Sequence, residues 1–251
     1  MDCMNNVLLK LMGWKAMVLH GDTLVVDRWK WLKPHLQPGS KRTLDAGCGN
    51  GCFTIYAAKI GNQALGLNFD EGPNVGARCR AELLCVKGAQ FQQGDLRNLD
   101  KMANALGTFD QILCMECIEH IIDDQKLVTD LAVLLKPGGR LLLTTPYKNH
   151  RPLRDEVVSG KEDGGHVRFG YTHEELRKMF EKAGLNVESE QFISGYVAQK
   201  LTSLARIFGL SRERLGWAVV FPFRLLKVFD KPVTALMNYP HLSVGIVGSK
   251  P

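Results

Sequence analysis

The sequence predicts a single α/β domain built on a parallel sheet with crossover helices, and three observations carry that expectation. From Arg42 onward, short apolar runs alternate with helix-length segments. A Gly-x-Gly-x-Gly turn, Gly47-Cys48-Gly49-Asn50-Gly51, follows the first of those runs directly. The chain has 251 residues, 45% of them apolar and 23% charged, enough for one sizeable core.

Residues 1–40 hold two apolar stretches, 7–18 and 24–36, read as helices of an N-terminal cap that carries Trp14, Trp29 and Trp31 and stops at Pro38-Gly39. Strands are expected at 42–45, 63–67, 89–92, 111–115 and 140–145, with a helix at 53–60 behind the glycine turn. The polar, glycine-containing stretch from Pro146 to Tyr171 exceeds a plain connector and reads as a functional lid. Thr172-His173-Glu174-Glu175 is a capping-box sequence, opening a helix that Gly184 closes before a strand at 185–193. Residues 194–240 form an apolar and basic insertion, and the alternation at 242–247 marks a last strand. The expected organisation is one domain, 1–251, made of a cap (1–40), a core (41–193), the insertion (194–240) and the final strand (241–251).

Seven scattered cysteines and the lack of a signal-peptide pattern point to the cytoplasm. The longest apolar run, 215–223, is far short of the roughly 20 residues that span a bilayer. The net charge of +6 suits an anionic substrate, a membrane surface or nucleic acid without choosing among them.

The chemistry starts at Asp45, two residues before the turn. A dinucleotide fingerprint asks for glycine or alanine where Cys52 stands and has no carboxylate at this point, because a pyrophosphate would be repelled. Two unit charges about 4 Å apart interact by roughly 1–4 kcal/mol in water or near a protein surface, so Asp45 favours the cationic amino and sulfonium end of S-adenosyl-L-methionine. Gln93-Gly94-Asp95-Leu96 then closes the third strand with an acid suited to the adenine amino group. Residues 109–120 form the fourth strand and an exit loop bearing Glu116, Glu119 and His120.

With these segments in this order, the chain resembles the class I S-adenosylmethionine-dependent methyltransferases, in the subgroup with a Glu-His pair after the fourth strand that includes the quinone O-methylases. The resemblance covers residues 41–193 and the final strand. It implies a Rossmann-like seven-stranded sheet of order 3-2-1-4-5-7-6 with the last strand antiparallel. It also implies cofactor contacts at Asp45, Gly47, Cys48, Gly49 and Gly51, at Asp95 and Leu96 for adenine, and at Met115. One departure stands out: the family's ribose-binding acid at the end of the second strand is replaced by Asn68, which can still accept one hydrogen bond and donate another.

At the transfer end His120 is the candidate base, since its ordinary pKa near 6.5 suits proton uptake at neutral pH, with Glu119 beside it. The competing reading is that the two merely bond each other or the next helix. Glu116, Glu119 and His120 form a set able to hold a divalent cation, but no metal is expected. Cys48, Cys52, Cys114 and Cys117 have poor spacing for zinc, and Cys117 lacks the preceding proline of cytosine C5 methylases. In the lid, His166 and Tyr171 are expected to face substrate, between flexible glycines.

The acceptor is expected to be a small, hydrophobic or lipid-linked molecule methylated on oxygen. The insertion carries Lys200, Arg206, Arg212, Arg214, Arg224, Lys227 and Lys231 against Glu213 and Asp230, interleaved with apolar residues. It is expected to pack its apolar face on the cap as a roof over the acceptor pocket and to touch an anionic membrane surface peripherally. A nucleic-acid methyltransferase is disfavoured because Cys114-Met115-Glu116-Cys117 replaces the Asn/Asp-Pro-Pro-aromatic motif and no RNA-binding module is present. A cofactor-binding module without turnover stays open because of Asn68.

Overall fold

The computed structural model describes residues 6–20, 23–151, 157–209 and 219–251. Its sheet has seven strands in the order β3-β2-β1-β4-β5-β7-β6. These are β1 (Arg42–Ala46), β2 (Gln63–Asn68), β3 (Ala89–Gln93), β4 (Phe109–Met115), β5 (Leu135–Pro146), β6 (Asn186–Ile193) and β7 (Ser243–Ser249). β1 to β5 pair in parallel, whereas β7 runs antiparallel to both β5 and β6. The order reverses between β1 and β4, and the crevice at the carboxyl ends of strands flanking such a reversal is where α/β sheets bind ligands.

Central strands buried on both faces explain why their runs read as nearly continuous apolar segments. One face packs against α3 (Thr23–His35) and α4 (Cys52–Lys59) through Trp31, Leu32, Ala57, Leu113, Leu142 and Val247. The other meets α6 (Leu99–Leu106), α7 (Asp124–Val133) and α8 (His173–Lys182), with Phe109, Leu131 and Phe180 at its centre. β7 lets both layers approach because it carries glycine at two contact points. A Cβ on Gly245 would sit 2.5 Å from Trp31, and one on Gly248 would sit 2.6 Å from Phe180. The Thr172 capping box at the head of α8 is formed as its sequence suggests.

Three sequence expectations are revised. The stretch at 7–18 is two helices, α1 (Asn6–Met12) and α2 (Lys15–His20), because Gly13 adopts φ +61° and ends the first helix in the left-handed region. β5 begins five residues early, drawing the Pro137-Gly138-Gly139 turn into the sheet with a register shift opposite Phe109 and Gln111.

The third revision concerns the insertion, built from α9 (Tyr196–Gly209), a 3₁₀ segment (Phe221–Phe229) and α10 (Asp230–Leu236). Its 3₁₀ segment docks on the cap with two charges inward, whereas Lys200, Arg206 and Lys231 stay exposed. Lys227 Nζ pairs with Asp27 Oδ1 at 2.7 Å, the two side chains only 7% and 12% exposed, and donates to the Thr23 carbonyl at 2.9 Å. Arg224 donates to the Leu19 carbonyl in the last turn of α2. Phe223, Leu225, Leu226, Val228 and Phe229 face outward instead. A 3₁₀ segment has three residues per turn, so Arg224 and Lys227 fall on one row and reach the Leu19 and Thr23 carbonyls and the Asp27 carboxylate together. Arg154, Arg212, Glu213, Arg214 and Trp217 lie outside the described residues. Among the described residues, no helix is long and apolar enough to cross a membrane.

Candidate active site

The glycine turn joins β1 to α4 with three left-handed residues: Gly47 and Gly51 at φ +79° and Gly49 at φ +52°. A Cβ on Gly47 would come within 2.6 Å of Cys117 Sγ, and one on Gly51 within 2.8 Å of Ala77 and Phe91, so these two are demanded by packing as well as by conformation. Gly49 differs, since nothing lies within 4 Å of where its Cβ would be, and its backbone faces open space at the ligand end of the sheet.

Asp45 is 1% exposed and accepts from Thr54 Oγ1 at 2.7 Å. Burial pushes its carboxyl up to about 6, with the Thr54 hydrogen bonds opposing. No ion pair reaches it among the described residues. A buried carboxylate without a cation, beneath a turn with open space above Gly49, fits the cationic end of S-adenosylmethionine. Because the folded-state pKa is raised, Asp45 contributes stability fully below about 3.8, and this is lost as pH rises through about 6. Asp45→Asn is therefore expected to raise the melting temperature of the ligand-free protein at pH 7.5, by roughly 2–3 kcal/mol of stability, with little change at pH 4. It should also weaken S-adenosylhomocysteine binding. Melting curves at both pH values check the first expectation and calorimetry checks the second.

Asn68 is tied to the turn on both sides. Its Oδ1 accepts from the Gly49 N–H at 2.7 Å, and its Nδ2 donates to the Gly49 carbonyl at 3.0 Å and to Asn74 Oδ1 at 2.9 Å. A ribose contact would have to displace one of these bonds. Asp95 is likewise engaged: Arg97 Nε and Nη2 grip its two oxygens at 2.8 and 2.9 Å, and Asn98 Nδ2 adds a bond at 2.9 Å. Hydrogen bonds from Arg97 hold the Asp95 carboxyl below its usual range. Arg97 also stacks over Phe69 at 4.9 Å and donates to Glu162 Oε2 of the lid at 3.1 Å. Leu96 and Cys48 are buried beside the turn, and Met115 is buried with Thr144 Oγ1 3.9 Å from its sulfur.

After β4, Glu116 stands at φ +52° and pairs with Arg28 of α3, Nη2 to Oε2 at 3.0 Å, which brings the cap to the exit loop. Glu119 is fully buried and accepts from Thr145 Oγ1 at 3.1 Å. Burial, reinforced by the nearby Glu116 charge, pushes its carboxyl well above the usual carboxylate range. His120 places Nδ1 3.0 Å from the Gly165 carbonyl and Nε2 4.0 Å from Glu119 Oε1, and its ring meets His166 edge-on at 4.8 Å.

The segment 157–171 therefore lies against the exit loop. Val167 N–H donates to the Glu119 carbonyl at 2.9 Å, and Ile122 N–H donates to Glu162 Oε1 at 2.6 Å. His166 stands beside His120. Tyr171 departs from expectation: it is 4% exposed in the core, and its hydroxyl donates to Asp124 Oδ2 at 2.7 Å. The reason lies in Gly170, at φ +128°, which turns the chain tightly against the Pro146 carbonyl and drives the next side chain inward.

Glu119, His120 and His166 bring one ligand atom each within 4.8 Å of one another, a donor set able to hold a divalent cation. Glu116, the third member of the set considered from sequence, is taken by Arg28. Sequence reasoning missed Arg28, Arg97 and Glu162. Arg97 follows Asp95-Leu96 closely enough to have been weighed, whereas Arg28 and Glu162 carried no local signal.

A sheet wound in this order, with its ligand loops gathered where the order reverses, defines the class of Rossmann-like S-adenosylmethionine-dependent methyltransferases. A sequence profile described as a methyltransferase domain matches residues 27–190, more than half of the chain, and the chain belongs to that family. It is 29% identical over 187 residues to the ubiquinone biosynthesis O-methyltransferase of Xanthomonas axonopodis pv. citri (strain 306), covering 72% of this chain and 76% of that one. The Stutzerimonas stutzeri (strain A1501) protein of the same name is 30% identical over 134 residues, 53% of this chain and 56% of its own. Among solved structures, the [4+2]-cyclase SpnF superposes with a TM-score of 0.63 at 19% identity, covering 99% of this chain and 94% of that one. The magnesium protoporphyrin IX methyltransferase of Synechocystis PCC 6803, with bound S-adenosylhomocysteine, gives 0.57 at 16% identity and 99% of both chains. These two structures share the fold.

Proposed function

We propose that this methyltransferase transfers the methyl group to a hydroxyl of a small, hydrophobic or lipid-linked acceptor, with His120 as general base. The observation that carries the reading is the Gly165 carbonyl 3.0 Å from His120 Nδ1. A carbonyl can only accept, so it assigns the N–H to Nδ1 and leaves the lone pair on Nε2. S-adenosylmethionine, when bound, supplies a methyl group made electrophilic by its sulfonium. Asp45, Gly47 and Gly49 would hold its methionine end, with Asp95 and Leu96 at adenine. Nε2 takes the proton of the acceptor hydroxyl, and Glu119 is a positioning residue that ties the exit loop to Thr145 and to the lid backbone. The lid segment lies against the exit loop and bonds the His120 ring through the Gly165 carbonyl. The names of the relatives support oxygen as the target atom.

The test is incubation of host extract with the enzyme and methyl-labelled cofactor, followed by untargeted mass spectrometry. A labelled methyl ether on an apolar molecule is expected; label on nitrogen, on carbon or on nucleic acid overturns the reading. The cluster of Glu119, His120 and His166 favours a second reading, in which a divalent cation lowers the pKa of the hydroxyl. Turnover surviving exhaustive chelation retains His120 as base, and turnover lost to chelation and restored by Mg²⁺, Mn²⁺ or Zn²⁺ replaces it.

The outward apolar row of the 3₁₀ segment supports peripheral contact with a membrane that delivers such an acceptor. Leu225 and Val228 are 80% and 78% exposed, with Lys231 exposed nearby. The protein is expected to co-sediment with phosphatidylglycerol vesicles, and Phe223→Ser with Leu225→Ser and Val228→Ser to reduce the bound fraction at least fivefold. A parent chain that stays in the supernatant removes the membrane from the proposal.

A further inference from the structure

We infer that Arg151, Lys200 and the rings of Tyr196 and Tyr239 form an anion subsite for a carboxylate or phosphate carried by the acceptor. The inference extends the acceptor reading above and rests on it.

The four residues come from three segments that the sheet brings to one edge. Pro146 at the end of β5 and Ile193 at the end of β6 both register with Ser243 at the start of β7. Arg151 lies just beyond β5, Tyr196 and Lys200 open α9 behind β6, and Tyr239 precedes β7. The Tyr147 N–H donates to the Leu242 carbonyl and Gln199 Nε2 to the Pro240 carbonyl, both at 2.7 Å, fixing the three segments together. This is the edge that carries His120. Strands are about 4.8 Å apart, and two such spacings separate β4, which leads to His120, from β7, which follows Tyr239.

Tyr239 is only 9% exposed and forms a fixed platform. The Arg151 guanidinium carbon lies 4.6 Å from its ring centroid and Lys200 Nζ 5.2 Å. Lys200 is also 5.3 Å from the Tyr196 ring, which meets Tyr239 at 4.9 Å and 82°. Two cations thus share one ring and lie within about a Debye length of each other, ~8–10 Å at physiological ionic strength. No carboxylate pairs with either among the described residues. Asp230, at the head of α10, spends its oxygens on the N–H groups of Gly195 and Ala198.

Uncompensated cations on an aromatic platform create a positive potential that an anion relieves. The planar guanidinium fork matches the oxygens of a carboxylate or phosphate, and the ammonium adds a point charge. The tyrosine rings give the attached group an apolar wall. The acceptor then presents its hydroxyl to His120 and its acidic group to this cluster.

The test is calorimetric binding to the full chain saturated with S-adenosylhomocysteine, with three probes: 4-hydroxybenzoate, its neutral isostere 4-hydroxybenzamide, and inorganic phosphate. At least tenfold tighter binding of 4-hydroxybenzoate than of the amide is expected, with the preference lost in Arg151→Gln and Lys200→Met. S-adenosylhomocysteine affinity should stay unchanged in both variants, and Arg151→Lys should retain part of the preference. Phosphate binding lost in the same two variants assigns the subsite to phosphates; without it, the subsite belongs to carboxylates. Equal affinity for acid and amide together with no phosphate binding overturns the inference. So does anion binding that neither variant changes. A parent that holds 4-hydroxybenzoate through these side chains, while the labelling experiment yields no methyl ether, leaves the subsite standing and removes the O-methylation reading.

Discussion

His120→Ala lowers kcat by about 10²–10⁴-fold, the usual contribution of a positioned general base, while S-adenosylhomocysteine affinity stays within twofold. The separation follows from the geometry. The ring bonds the Gly165 carbonyl and faces Glu119 and His166, and among the described residues no hydrogen bond joins it to the glycine turn, Asp95 or Leu96. His120→Gln, which keeps a polar side chain without a basic nitrogen, should lose as much. The pH profile of kcat distinguishes this role from a structural one, because the acidic limb set by the base must vanish in the variant. Retained turnover in both variants, or an unchanged acidic limb, removes His120 as base.

The second large effect is on stability. Lys227→Ala leaves Asp27 buried without its cation, a loss of about 3–5 kcal/mol for a broken buried pair. At roughly 2–4 °C per kcal/mol for a domain of this size, the melting temperature drops by about 10 °C. Burial draws the Lys227 ammonium below its usual range while Asp27 opposes that shift, so the charge persists because of its partner. The double variant Lys227→Met with Asp27→Leu removes both charges and should recover most of the loss. A single variant that melts with the parent would show that the insertion is not anchored on the cap through this pair.

The legible parts of the fold were those written locally. Strand expectations at 42–45 and 63–67 each end one residue short of β1 and β2, because an apolar run bounded by turn residues has few ways to lie in a sheet covered on both faces, and the same offset holds at 89–92 for the more polar edge strand β3. The Thr172 box and Gly184 marked α8 for the same reason, since capping is a contact between neighbours. Gly13 was missed because an isolated glycine within an apolar helical pattern is often tolerated.

Side-chain direction was much less legible. Tyr171 and His166 look alike as lid residues beside glycines, yet one enters the core and the other meets His120. In the insertion, the mixture of basic and apolar residues was clear, but in the 3₁₀ segment its sense was reversed. The inward row depends on 3₁₀ winding and on an aspartate and two carbonyls about 200 residues away.

From its order of residues alone, this chain could be placed in its class, because the glycine turn, Asp95 and the exit loop of the fourth strand are short segments whose chemistry does not depend on distant partners. The tertiary structure decided which of those groups remain available. It engaged Asn68 with Gly49 and Asp95 with Arg97, joined Glu116 to Arg28, and brought Gly165 to His120 across 45 residues. A hydrogen bond forms wherever folding brings donor and acceptor within about 3 Å, and that meeting is set by the packing of whole elements, which no local pattern records.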